Sequence, residues 1–101
     1  MDRNQLLLDA EILDVGPVRA TPGGVDTVAL RLRHVSEQVE AGGNRMVEVT
    51  IDASGFGTVA PQLGVLGKGQ RIAVRGFLTK RSARSDIPVL HINEFKIIET
   101  R

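Results

Sequence analysis

The sequence predicts an all-β domain of five strands, with one short helix between the third and the fourth. Three observations predict it. Apolar residues recur at every second position in five separate stretches; clusters of Gly, Pro and polar residues divide those stretches; and residues 55–66 abandon the alternation for helical spacing. Successive side chains of an extended chain point to opposite faces, so each alternating stretch reads as a strand with one face buried.

Residues 6–13 open the series, with Leu6, Leu8, Ala10 and Ile12 on one face and Asp9 and Glu11 on the other. Pro17 and the run Thr21-Pro22-Gly23-Gly24 then supply the fixed φ and the permitted positive φ that a chain reversal needs. In the second strand, 28–35, Val28, Leu30 and Leu32 alternate with Ala29, Arg31 and Arg33, so burial of the first set points both arginines outward. Residues 36–44 carry Glu37, Glu40, Gly42 and Gly43 with few apolar side chains, the pattern of a mobile hairpin loop. The third strand, 45–53, has Val47, Val49 and Ile51 in phase and Glu48 and Thr50 opposite.

Between residues 55 and 66, Val59, Leu63 and Leu66 recur at helical spacing behind Ser54 as a start signal. Pro61 is compatible only with the first turn, and Gly64 weakens the helix. Gly67-Lys68-Gly69 ends that segment. In the fourth strand, from Arg71, Ile72, Val74 and Leu78 alternate with Arg71, Arg75, Phe77 and Thr79. Residues 80–88 read as a polar, basic hairpin loop and 89–98 as the last strand. There the apolar positions change phase, from Leu90 and Ile92 to Phe95 and Ile97, which predicts an inserted residue near Asn93 or Glu94, a β-bulge.

A β-β-β-α-β-β order cannot build a doubly wound sheet, which needs a crossover helix between successive parallel strands. Five strands closed into a Greek-key barrel, with the helix plugging one end, remove most of the exposed edge; this is the oligonucleotide/oligosaccharide-binding (OB) fold. Its ligands lie across the second and third strands, bordered by the loops joining strands one to two and four to five. At 101 residues the chain accommodates one such core, so residues 1–101 read as a single OB-fold domain.

Composition narrows the function classes. With 42% apolar and 25% charged residues the chain is too apolar to be disordered. Without cysteine it has no disulfide framework and no thiolate metal site. Its apolar runs are too short for a membrane helix, and its polar N-terminus lacks a secretory leader pattern, which makes the cytoplasm the expected location. Gly64, Gly67 and Lys68 suggest a phosphate loop, but Gln62 stands where the first glycine is needed and Gly69 where a magnesium-binding hydroxyl is needed. His34 and His91 lie on different strands with no third ligand and no activated nucleophile, so they read as structural or surface groups. A non-enzymatic protein with no metal and no cofactor is expected.

The net charge is only +1, yet it is unevenly spread. Residues 67–86 hold Lys68, Arg71, Arg75, Lys80, Arg81 and Arg84 against Asp86 alone, a local charge of +5, while the rest of the chain carries −4. The positive part coincides with the fourth strand and the hairpin bordering the fold's binding face, as phosphate attraction would require; a hairpin charged only for solubility is the alternative. Arg31 and Arg33 add to that field if the outer face is the binding face, and Arg19 lies at its rim; each otherwise reads as a solvated arginine paired with Glu48 or Asp26. Stacking is the weak point. There is no Trp or Tyr and only three Phe. Phe95 reads as core and Phe56 as packing near the helix, leaving Phe77 as the aromatic with a claim to the outer face. Binding to single strands is therefore expected to be weak, salt-dependent and dominated by charge.

The segment Pro17-Val18-Arg19-Ala20-Thr21-Pro22-Gly23-Gly24 resembles the turn after the first strand of bacterial single-stranded-DNA-binding proteins. Gly67-Lys68-Gly69-Gln70-Arg71-Ile72-Ala73-Val74-Arg75-Gly76-Phe77-Leu78 resembles their fourth strand. The likeness spans nearly the whole chain. The short length, the missing acidic C-terminal tail, Leu30-Arg31-Leu32-Arg33-His34, and the Gly76-Phe77-Leu78 and Leu90-His91 pairs are more similar to the primosomal replication proteins of that superfamily. That resemblance implies a non-catalytic homodimer that binds single-stranded DNA and contacts the restart helicase PriA and, where it exists, DnaT. Dimers of that family form largely through the first strand and its neighbours, which makes Leu7 and Leu13 interface candidates; ordinary surface or barrel-end leucines are the alternative. Two other functions stay open. One is a general single-strand coat protein, disfavoured by the sparse aromatics and the missing tail. The other is an adaptor that keeps the barrel and serves only a protein partner.

Overall fold

β1 (Leu6–Val15) does the closing, because it pairs with two different strands along its length. The structure, a computed structural model, describes residues 1–99. After β1 come β2 (Arg19–Ala20), β3 (Asp26–Glu40), β4 (Gly43–Phe56), α1 (Val59–Gly64), β5 (Arg71–Ser82) and β6 (Ser85–Glu99). Residues 6–11 of β1 run antiparallel to β5, Leu6 opposite Gly76 and Glu11 opposite Arg71. Residues 11–15 run antiparallel to β3, Glu11 opposite Arg33 and Val15 opposite Leu30. β3 pairs with β4, β4 with β6 in parallel, and β6 with β5, so five strands close into the predicted barrel. The two-residue β2 adds only a short edge beside β3.

Bulges make the bend possible. Leu13 is the extra residue where the β1 register steps from Ile12 to Asp14, and the added residue turns the strand from one neighbour to the other. In β6, Glu94 faces Arg75 and Ile92 faces Gly76, so Asn93 is the inserted residue that the change of apolar phase predicted. Beyond the paired part of β1, His34 takes over the link to β3. Its Nδ1 lies 2.7 Å from the Asp9 carbonyl oxygen and its Nε2 2.7 Å from Ser36 Oγ, a structural role for this histidine.

The core contains Ile12, Val28, Leu32, Ile72 and Leu90, all fully buried, with Phe95 packed against it. α1 is too short to be stable alone, and it holds because Val59, Ala60 and Leu63 are buried against the barrel. Pro61 falls in its first turns, where a missing N–H removes no helical bond. The start expected at Ser54 is corrected: β4 continues to Phe56, because Gly55 still faces Val28 on β3 and Ile92 on β6, and Gly57 with φ 78° makes the turn into the helix.

Both expected loops are also corrected. β3 and β4 stay paired from Thr27–Phe56 to Glu40–Gly43, so residues 36–44 form the end of a long hairpin. Sparse apolar content signals missing burial, whereas backbone pairing in a hairpin needs none; Val39 and Met46 remain exposed there. Likewise β5 runs to Ser82 and β6 starts at Ser85, leaving a two-residue turn in place of the loop over 80–88.

Two substitutions test this architecture. A Cβ on Gly76 would overlap the carbonyl oxygen of His91 across the β5–β6 ladder, a backbone atom that no rotamer change can move. Gly76→Ala is therefore expected to cost about 3 kcal/mol in urea unfolding, at the upper end of overpacking effects. The β3–β4 turn holds both central residues at positive φ, Ala41 at 53° and Gly42 at 79°. Asn tolerates that region better than Ala, so Ala41→Asn is expected to raise stability by roughly 0.5–1 kcal/mol in the same assay.

Candidate nucleic-acid interface

Residues facing one another across a ladder share a face of the sheet, so register alone lines up the outer surface. One row runs Arg19 on β2, Thr27 on β3 and Phe56 on β4. The next runs Ala29 on β3, Ser54 on β4, His91 on β6 and Phe77 on β5. A third sets Arg31 beside Asp52. The rows bring three rings into contact. Phe56 stacks on His91 with ring centroids 5.0 Å apart and planes 27° apart. His91 meets Phe77 at 5.1 Å with a tilt of 43°. Phe56 is 46% exposed, so the run opens to solvent at its end, while His91 and Phe77 are half-buried.

Beside it lies an open groove of about 480 Å³, whose lining includes Arg31, Asp52, Phe56, Lys80, Arg81 and His91. The β5–β6 register shifts between Lys80 and Ser82, and there Arg81 pairs with Asp52 on β4 through its Nη2 and the carboxylate Oδ2. Asp52 thus has Arg81 as its ion-pair partner and Arg31 as its cross-strand neighbour. Lys80 donates to the Ala83 carbonyl oxygen at 3.4 Å. Among the described residues, Arg19, Arg31, Lys80 and Arg84 make no ion pair.

The predicted site residues therefore separate into groups. Arg31, Lys80 and Arg81 gather in the groove, with Phe77 reaching it through His91. Arg19 sits on β2 in the Phe56 row, and Arg84 occupies the tip of the β5–β6 hairpin. Arg33 is tied to Glu48 at 2.7 Å. Arg75 lies apart from the groove, between Leu7 on β1 and Glu94 on β6, and its Nε is 3.3 Å from Glu94 Oε1. Leu7 is 68% exposed beside it, while Leu13, at the bulge, is half-buried. No group of three metal-ligating side chains gathers among the described residues.

Sequence reasoning missed two members of the aromatic run. Phe56 was expected to pack near the helix; it stands instead on the outer face, because β4 keeps its alternation to its last residue. His91 alternates with buried Leu90 and Ile92 and so was legibly outward, but its ring neighbours were not.

Comparison with known proteins gives this chain a family. Residues 4–94 match the sequence model of a family described as another single-strand binding protein family. The replication restart protein PriB of Nitrosomonas europaea is 32% identical over 98 residues, covering 97% of this chain and 91% of that protein. PriB of Bordetella pertussis is 39% identical over 95 residues, covering 94% and 89%. The chain belongs to the PriB family. The solved PriB of Ralstonia solanacearum has the same fold, with a TM-score of 0.87 and 31% identity, covering 97% of this chain and all of that one. The closed barrel with its single helix is thus the PriB fold.

Phe56 makes its ring contact at the surface, where an aromatic pair contributes about 0.5–1.5 kcal/mol. Phe56→Ala, which also gives up the ring's partial burial, is expected to lose about 2 kcal/mol in urea unfolding and to keep the native far-ultraviolet circular dichroism. A loss of ligand in this variant would then report a lost contact, with folding intact.

Proposed function

We propose that this chain is an accessory factor of replication restart that binds single-stranded DNA across the outer face of β3, β4, β6 and β5. The observation that carries the reading is the juxtaposition of a three-ring run, exposed Phe56 with half-buried His91 and Phe77, with the Arg31, Lys80 and Arg81 groove. Rings accept bases of any sequence by stacking, and guanidinium and ammonium groups take the phosphates. Membership of a family whose relatives are named replication restart proteins supports the setting.

Affinity in this reading is low. Arg33, Arg75 and Arg81 already hold carboxylates, so a strand gains fewer new charge contacts than the count of cations suggests. Arg19 and Arg84 would extend the phosphate track at its two ends. The same proposal includes a homodimer formed through β1, with exposed Leu7 as an interface residue and Leu13 beside the bend, in the cytoplasm. It also includes contact with the PriA helicase, and with DnaT where that protein exists.

Fluorescence anisotropy of labelled oligo-dT tests the DNA half. Two phosphate contacts, at Arg31 and Lys80, predict that the association constant falls roughly 5- to 10-fold between about 50 and 200 mM salt. Phe77→Ala and Phe56→Ala are each expected to weaken binding about 5-fold or more, the low end of what one stacked base contributes. No binding at low salt overturns the DNA assignment and leaves the adaptor function, which stimulation of PriA by the same preparation would then support.

A further inference from the structure

Two carboxylates line the groove, Asp14 on β1 and Asp52 on β4, both opposite Arg31, and of the two it is Asp52 that also holds the second arginine, Arg81. It faces Arg31 directly across the β3–β4 ladder and holds the Arg81 guanidinium as an ion pair. Both partners keep solvent access, with side chains 50% exposed for Arg81 and 36% for Asp52, so the pair is exchangeable and only weakly held. A phosphate arriving at Arg81 meets a carboxylate already bound there.

We infer that Asp52 sets the affinity of the groove, by occupying the Arg81 guanidinium that a backbone phosphate would otherwise take. This deepens the single-strand reading above and rests on it. Asp52 keeps this position most of the time, and a phosphate can take it only by an exchange of one anion for another. It releases Asp52 beside Arg31 and so leaves a repulsive charge next to the strand. The cost falls on phosphates alone, because bases stacked on Phe56, His91 and Phe77 carry no charge. Asp52 thereby shifts the balance of recognition from the backbone toward the bases, and it keeps strand exchange fast. The Arg81 pair also links the β5–β6 hairpin to β4.

Glu48 supplies an internal comparison. It sits on the same strand, also pairs with an arginine, Arg33, and does not line the groove. Asp52→Asn and Glu48→Gln each remove one negative charge with little change of shape. Labelled oligo-dT is titrated into wild type and both variants at low and moderate salt. Asp52→Asn is expected to bind roughly 3- to 10-fold more tightly at low salt, with a salt slope steeper by about 0.7, the signature of one further phosphate contact. Glu48→Gln is expected to gain less than half as much. In an Arg81→Ala background, Asp52→Asn is expected to gain little, since the guanidinium it would release is gone.

Unchanged or weaker binding by Asp52→Asn, with wild type binding normally, overturns the role of Asp52 and leaves the single-strand reading standing. Equal gains from the two variants also overturn it, by reducing the effect to net charge. Failure of all three proteins to bind at low salt overturns both.

Discussion

Closure of the barrel by one bent strand is the constraint on which the rest of the structure depends. β1 satisfies the backbone groups of β5 with its first half and those of β3 with its second, and the extra residue Leu13 lets it turn between them. A straight β1 would leave one of these strands with an open edge of unpaired N–H and C=O groups. Once the ring is closed, β4 and β6 must meet in parallel, at Ala53–Leu90, Ser54–His91 and Gly55–Ile92. That meeting sets Phe56 against His91. The candidate site is thus a consequence of closure as much as of its own residues.

The same bend explains the demands on Gly76. β6 wraps the barrel by inserting Asn93, and the ladder around that bulge brings β5 so close that a Cβ on Gly76, which faces Ile92, would overlap the His91 carbonyl oxygen. One position therefore serves packing and the candidate site together. The close approach that excludes a Cβ at 76 is beside the pairing that aligns Phe77 with His91.

Charge on the outer face is arranged for moderation. A protein with net charge +1 that concentrated its free cations on one surface would bind polyanions indiscriminately, whereas here Arg33, Arg75 and Arg81 are each matched by a carboxylate. These exposed pairs contribute little to stability, on the order of 0–1 kcal/mol each. Their main effect is on the field that a ligand meets. In the proposed reading, rings set beside partly neutralised cations give stacking a larger share of recognition than the composition, with three phenylalanines, suggests.

Within a strand, the sequence by itself determined nearly everything: the five alternating stretches, the helix over Val59 and Leu63, the insertion near Asn93, and the outward direction of Arg31, Arg33, Arg75 and Phe77. These are local properties, since period two follows from backbone geometry and a change of phase can be read without knowing the neighbour. Hairpin length was not legible, because an exposed two-stranded ribbon pairs its backbone without burying the apolar side chains that alternation counts. Only the tertiary structure decided which outward residues meet. Asp52 and Arg81 stand 29 residues apart in the chain, and Phe56 and His91 touch only because closure lays β6 along β4. Such neighbours are set by register between strands, and a shift of one residue would send every one of these side chains to the other face.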